Sequence, residues 1–177
     1  MKHLFIGIFT MTLLNFSVYA KKPDWFLKLQ EIKVFQSNRQ DVERVFDNPK
    51  FLYSSNENPK ETGWGETVEY QTTDGKLEVF YSTGRCSEQT NKKGWDIDKD
   101  LVVSIEFEPN EPIKLSDLEL DLSSFSGYKE SDNQYFQYKS EKLGVEFTLL
   151  GGEVTYIEYS ITPEMKKLDC EIILKNK

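Results

Sequence analysis

The stretch Val68-Glu-Tyr-Gln-Thr-Thr-Asp-Gly-Lys-Leu-Glu-Val-Phe-Tyr81 decides the fold class of this chain. Apolar and polar residues alternate on both sides of Asp74-Gly75, which is typical of two antiparallel strands joined by a turn with a positive φ. The same period of two returns in residues 101–107, 145–149 and 154–161. The pattern predicts an antiparallel sheet that is buried on one face and open to solvent on the other.

A short helix is predicted before these strands. Residues 37–49 read Ser-Asn-Arg-Gln-Asp-Val-Glu-Arg-Val-Phe-Asp-Asn-Pro, in which either Ser37 with Gln40 or Asn38 with Asp41 forms a capping box. Apolar residues then recur at i, i+3 and i+4 and give the helix one apolar face. The helix is expected to end before the proline.

The second half of the chain repeats this order. Val102-Val-Ser-Ile-Glu-Phe107 parallels Val154-Thr-Tyr-Ile-Glu-Tyr159, and helical turns are predicted at 116–118 and 163–168. We therefore predict an α+β fold, an antiparallel β-sheet with short helices packed on one face and two tandem similar halves. The halves, 21–110 and 111–177, form one compact module. A single α+β domain with two similar hairpins is the alternative interpretation.

The first twenty residues have the pattern of a secretory signal peptide. Lys2 gives the N-terminus a short positively charged region, and an apolar run follows it. Val18-Tyr-Ala20 then places small residues at a cleavage site. We expect cleavage near Ala20 and an exported protein, periplasmic or secreted. Because no cysteine stands directly after this site, a lipid anchor of the bacterial lipoprotein kind is not expected, and no stable membrane anchor is predicted.

The remaining residues, 21–177, are strongly acidic. They contain 21 basic and 30 acidic residues, a net charge of −9, against −8 for the whole chain. This charge disfavours nucleic acid, which requires basic patches. An unknown protein or peptide, with a basic surface, is the partner that this charge favours.

Two cysteines and one histidine limit the chemistry of the chain. Cys86 and Cys170 form an even pair, which in an oxidising compartment favours a disulfide over a reactive thiol. His3, the single histidine, lies in the predicted leader. We expect no cofactor and no catalytic residue.

The acidic segment Asp96-Ile-Asp-Lys-Asp100 resembles the start of a calcium-binding loop. The loop pattern requires glycine at its sixth position and a bidentate glutamate at its twelfth. Leu101 and Phe107 occupy those positions. The segment is therefore interpreted as a solvated acidic loop, and no metal ligand is assigned.

Residues 37–49 resemble the helix motif of the SmpA/OmlA (BamE-like) outer-membrane assembly factors. Tandem copies of that unit look like the β-lactamase-inhibitor-protein-like fold. Asn38 stands where that motif usually has threonine, and Asp47 stands where it has the glycine that ends the helix. The lipoprotein cysteine is missing, and the second half lacks the closing Gly-x-Pro.

A second resemblance extends over most of residues 21–177, to a group of exported bacterial proteins without an established activity. It rests on the helix motif, Tyr81-Ser-x-Gly-x-Cys86, Gly94-Trp95, the Val102 strand and Leu115-Ser-Asp-Leu-x-Leu-Asp. Both resemblances imply a helix-on-sheet module used for binding, and neither supplies catalytic residues.

Helices on one side of the sheet are expected to bury Val103, Ile105, Phe107, Ile157, Tyr159 and Ile161. The other side then carries the candidate binding residues, which are acidic or aromatic: Glu69, Glu78, Phe80, Glu106, Tyr135, Glu146, Tyr156 and Glu158, with Gln71 beside them. Such a face suits capture of a basic protein or peptide, and an ordinary solvated sheet face is the alternative.

Two further hypotheses concern single residues. Trp64 and Trp95 lie in predicted loops, as interface anchors or as side chains that pin their own loops. Glu106 and Glu158 follow matching isoleucines in the two halves. They are the natural pair for a carboxylate-dependent glycan hydrolase, the alternative to non-catalytic binding.

Overall fold

The computed structural model describes residues 22–56, 64–129 and 135–176, so the predicted signal peptide lies outside the described residues. Its helices are α1 (Asp24–Glu31), α2 (Arg39–Val45) and α3 (Cys170–Lys175), with 3-10 turns at Leu115–Leu118, Leu122–Ser124 and Met165–Leu168. Its strands are β1 (Lys50–Asn56), β2 (Glu66–Gln71), β3 (Gly75–Tyr81), β4 (Val102–Pro109), β5 (Ile113–Lys114), β6 (Ser126–Lys129), β7 (Tyr135–Ser140), β8 (Val145–Leu150) and β9 (Glu153–Tyr159).

All these strands belong to one antiparallel sheet, in the order β1-β2-β3-β4-β9-β8-β7-β6, and β5 pairs with β9. The prediction of an α+β fold built on an antiparallel sheet is confirmed. Strands β4 and β9 lie at the centre, where the strands that come early in the chain meet those that come late. No helix in the described part of the chain is long and apolar enough to cross a membrane.

Helices α1 and α2 pack on one face of the sheet. The ring of Trp25, on α1, stacks on Phe107 of β4 with centroids 4.9 Å apart, and Phe46, just after α2, lies 6.4 Å from Phe107. Phe26 contacts Phe147 of β8 at 6.4 Å. These contacts place the apolar core between the two helices and the central strands.

Helix α2 has the predicted position and cap. Its N-cap is Asn38, and the capping box is the one formed with Asp41. After the helix, Asp47 and Asn48 have φ values of 58° and 56°, and Pro49 follows. Aspartate and asparagine tolerate this left-handed conformation better than most residues, so they serve where glycine is usual.

The β2–β3 hairpin forms as predicted, but its turn is of a different kind. Gly75 does not have a positive φ, so that expectation was wrong. Instead the hydroxyl of Thr72 accepts hydrogen bonds from the backbone N–H groups of Asp74 (3.2 Å) and Gly75 (3.0 Å). A side chain at position 75 would meet the Phe107 ring at 2.7 Å and the carbonyl oxygen of Glu108. Glycine is required there for close approach.

Cys86 and Cys170 lie at disulfide-bonding distance, with Cα atoms 5.2 Å apart, so the predicted pairing is confirmed. The bond joins the loop after β3 to the start of α3. Two backbone hydrogen bonds lie beside it, from Cys170 N–H to Gly94 O (2.9 Å) and from Asp96 N–H to Leu168 O (2.8 Å). The C-terminal segment therefore holds the β3–β4 loop against the body.

Candidate binding face

Five glutamates form a continuous row across the sheet face opposite the helices. Strand register places each directly beside the next on β2, β3, β4, β9 and β8. We call this set the glutamate row, and in spatial order it consists of Glu69, Glu78, Glu106, Glu158 and Glu146. All five were predicted for this face from alternation, and the structure brings them together.

The two ends of the row are neutralised and its centre is not. Lys76 Nζ lies 3.1 Å from Glu69 Oε2, and Lys139 Nζ lies 3.1 Å from Glu146 Oε2. Within the described residues, no lysine or arginine lies within 4.0 Å of the three central carboxylates, those of Glu78, Glu106 and Glu158. Like charges directly opposite one another on a sheet are destabilising, so the centre carries unbalanced repulsion.

The pKa values of the three central carboxyls reflect this environment. Partial burial raises the pKa of Glu78, and the charge of Glu106 raises it further. Burial also raises the pKa of Glu106, although a hydrogen bond from the Tyr156 hydroxyl opposes the rise. For Glu158, burial and then the charge of Glu146 raise the pKa. A bound cation would favour the ionised form of all three groups.

An aromatic pocket opens beside Glu106 and Glu158. Its volume is about 200 Å³. The Trp64 ring meets Phe80 edge-on, with centroids 5.1 Å apart. Trp95 contacts Phe35 at 5.4 Å. Both tryptophans are half-buried and line the pocket. We call this the aromatic pocket, and its lining consists of Trp64, Phe80, Trp95, Val103, Ser104, Glu106, Glu158, Ser160 and Ile161.

Two residues expected beneath the helices line this pocket instead, so their predicted placement was wrong. The register of β3 and β4 shifts between Phe80 and Tyr81, where a bulge carries Val103. A bulge inserts one residue and reverses the alternation beyond it. Ile161 lies beyond the end of β9, outside the regular alternation. Ile105, Phe107 and Ile157 belong to the core as expected, and Tyr159 packs against it.

The remaining predicted aromatic residues occupy separate places. Tyr156 is half-buried, and burial raises the pKa of its phenol. The negative charge of Glu106 and the hydrogen bond to it raise this pKa further. Tyr135 accepts a hydrogen bond from Gln137 Nε2 (3.1 Å) on β7. It lies three strands from β4 and is not part of the aromatic pocket.

The acidic segment 96–100 is used to hold its own loop. Asp96 Oδ1 accepts from Cys86 N–H (3.0 Å), and Asp98 Oδ1 lies 2.9 Å from Arg85 Nη2. In the part of the chain that the structure describes, no three histidine, cysteine, aspartate or glutamate side chains are arranged to hold a metal ion.

A larger groove of about 480 Å³ lies on the helix side of the sheet, between the segment after α1 and β8. Its walls are mostly apolar, with Phe125 and Phe147 among them, and Lys33 is its single charged residue. The groove lacks a cluster of titratable groups, so the glutamate row and aromatic pocket are the better candidate site.

Comparison with known proteins gives no relative for this chain: no family model, no curated protein and no solved structure matches it. The residues of the glutamate row and the pocket are therefore the basis for a function.

Proposed function

We propose that the protein is an exported, non-catalytic protein-binding module whose acidic sheet face captures a basic protein or peptide, as an adaptor, inhibitor or envelope-assembly factor. The centre of the glutamate row, which lacks ion pairs of its own, is the observation that carries this proposal. Three adjacent carboxylates share one partly buried surface, and no lysine or arginine among the described residues lies within 4.0 Å of them. Lys76 and Lys139 act on them only from farther away, and the pKa values of all three stay raised. A basic partner supplies the missing positive charge and relieves the repulsion.

Other features support export and a duplicated architecture. The leader 1–20 and the Cys86–Cys170 bond fit an oxidising compartment outside the cytosol. In the centre of the sheet Ile105 pairs with Tyr159 and Phe107 with Ile157. This is the pairing expected if a local two-fold axis relates the matching segments. We propose on this basis that residues 21–110 and 111–177 are tandem halves related to the BamE-like units.

The test is binding of decalysine, measured by calorimetry at low and at moderate salt. The variant Glu78→Gln/Glu106→Gln/Glu158→Gln removes the central charges without changing side-chain shape. If each charge contributes roughly 0.2–1 kcal/mol, the variant binds about 3- to 150-fold more weakly. Wild-type binding is expected to weaken as salt rises from about 20 to about 300 mM.

A matched control changes the net charge equally at exposed sites outside the row: Glu31→Gln/Glu111→Gln/Glu164→Gln. This variant is expected to bind decalysine within about two-fold of wild type. Equal losses in both variants would show that only net charge matters. Such a result, or no decalysine binding by wild type, overturns the proposal.

A carboxylate-dependent glycan hydrolase is the second candidate, favoured by the raised pKa values of Glu106 and Glu158 beside one pocket. Hydrolysis of cell-wall glycan, measured as new reducing ends, distinguishes the two functions. Activity that disappears in both single variants, Glu106→Gln and Glu158→Gln, supports catalysis. Absence of activity together with salt-sensitive decalysine binding supports the binding module.

A further inference from the structure

The aromatic pocket combines apolar walls with negative charge. Rings and aliphatic side chains form most of the lining, and Glu106 and Glu158 contribute to it from adjacent strands. The hydroxyl of Ser104 donates to the carbonyl oxygen of Tyr159 (3.0 Å) and is thereby engaged. The side chain of Ser160 is hydrogen-bonded to Glu158. The charged groups of the lining are carboxylates, which favour a ligand that donates hydrogen bonds and carries a positive charge.

The walls are held in place before any ligand binds. Trp64 is fixed against Phe80, and Trp95 is fixed by Phe35. The backbone of Trp95 also pairs with Asp169, next to the disulfide. Side chains that are already ordered lose less entropy on binding, so even a small ligand group can be recognised.

The size of the pocket limits what enters it. With a volume of about 200 Å³, the pocket has room for a single small group. A pocket of this size is also smaller than the roughly 300–1,000 Å³ of most organic-ligand and cofactor sites.

We infer that the aromatic pocket receives one arginine side chain of the basic partner, with the guanidinium group against Glu106 and Glu158 and its stem between the aromatic rings. This inference rests on the proposed function. A guanidinium group forms paired hydrogen bonds with carboxylates, stacks on aromatic rings and is weakly hydrated. An ammonium group is a strongly hydrated point charge and matches this pocket less well.

The test uses three capped peptides, Gly-Gly-Xaa-Gly-Gly, in which Xaa is arginine, lysine or citrulline, the neutral analogue of arginine. Binding is followed by the indole N–H resonances of the three tryptophans. Trp64 and Trp95 report on the pocket, whereas Trp25, buried in the core against Phe107, is the internal control. The arginine peptide is expected to shift only the two pocket resonances, and to bind about ten-fold more tightly than the lysine peptide. Citrulline is expected to give no shift.

Two variants test the two halves of the recognition. Glu158→Gln removes a carboxylate, and Phe80→Leu removes a ring while the wall stays apolar. Each is expected to weaken arginine binding at least about five-fold, and Glu111→Gln, at an exposed site, is the control. An unchanged Trp25 resonance shows that each variant is folded.

The inference is overturned if the arginine and lysine peptides bind equally tightly. It is also overturned if the Trp64 and Trp95 resonances do not shift. If decalysine still binds wild type in a salt-sensitive manner, the glutamate row binds cations without the pocket, and only the inference fails. If decalysine binding is absent as well, the proposed function fails with it.

Discussion

Glu106 and Glu158 lie directly opposite each other across the β4–β9 pair, at the centre of the sheet. Each has a further glutamate on its outer side, Glu78 beside Glu106 and Glu146 beside Glu158. Directly opposed like charges destabilise a sheet, and here they occur where four adjacent strands meet. The chain thus carries a local cost to stability at the surface that we propose for binding.

This cost predicts a pH dependence of stability. In the folded protein the pKa values of Glu78, Glu106 and Glu158 are raised. At pH values between the unfolded and the folded pKa, the folded state therefore binds more protons than the unfolded state. Stability therefore falls as pH rises through the folded pKa values. The contribution is fully present below about pH 4.3, the unfolded value for glutamate.

The first prediction concerns glutamine at the two central positions. Glu106→Gln and Glu158→Gln each raise the free energy of unfolding at about pH 7.5 by roughly 0.2–1 kcal/mol, because a repelling charge is removed. The gain shrinks towards about pH 4.3, where wild type is protonated too. Urea unfolding at several pH values measures both effects. Destabilisation at neutral pH by both variants would contradict the repulsion that we describe.

The second prediction concerns the disulfide. The cysteines are 84 residues apart, and a loop of that length gives a stabilisation of up to about 4–5 kcal/mol in the chain-entropy model. Cys86→Ser/Cys170→Ser is expected to lower the urea midpoint markedly. Wild type unfolded with a reducing agent serves as the control and should match the variant. An unchanged midpoint in both samples would show that the bond adds no stability.

Alternation in the sequence was sufficient to predict most of the sheet and its acidic face. It correctly predicted the paired strands β2 and β3 and the placement of Glu69, Glu78 and Glu106. It did so because one face of the sheet is buried and the other is exposed to solvent. The same alternation places Lys76 beside Glu69 and Glu78. Lys76 is therefore a nearby cation that the alternation alone predicts.

Other elements lacked such a signal. In strand β1 the exposed Lys50 is followed by three exposed apolar residues, Phe51, Leu52 and Tyr53, so apolar residues do not alternate with polar ones. Val103 points into the pocket because of a β-bulge. The bulge is determined by the pairing of β4 with β3 and not by the local sequence. The aromatic pocket was missed because Trp64 and Trp95 come from loops that only tertiary packing brings together.

The third prediction concerns Gly75, whose role is close approach and not a positive φ. Gly75→Ala places a methyl group 2.7 Å from Phe107 Cζ and against the backbone of Glu108. We expect a loss of about 1–3 kcal/mol from overpacking. Gly127→Ala, on strand β6, is the control, because its nearest atom lies at an ordinary 3.5 Å. Equal urea midpoints for the two variants would refute the steric role of position 75.

The last prediction concerns Glu119, which follows the 3-10 turn Leu115–Leu118 with a φ of 47°. In sequence, Asp117-Leu-Glu119 matches Asp41-Val-Glu43, yet the earlier segment lies inside helix α2 while the later one ends its turn. A left-handed conformation costs a residue with a side chain about 1–2 kcal/mol, and glycine adopts it freely at an entropic cost of about 0.5–1 kcal/mol.

Glu119→Gly is therefore expected to raise the free energy of unfolding by up to about 1 kcal/mol, seen as a higher melting temperature. Glu164→Gly is the matched control: it also removes one exposed negative charge, but its φ is −67°, so glycine there brings only the entropic cost. The control separates backbone strain from relief of the acidic net charge. If both variants are stabilised equally, charge is the cause and Glu119 carries no strain; if only Glu119→Gly gains, the second helical segment ends at a strained residue.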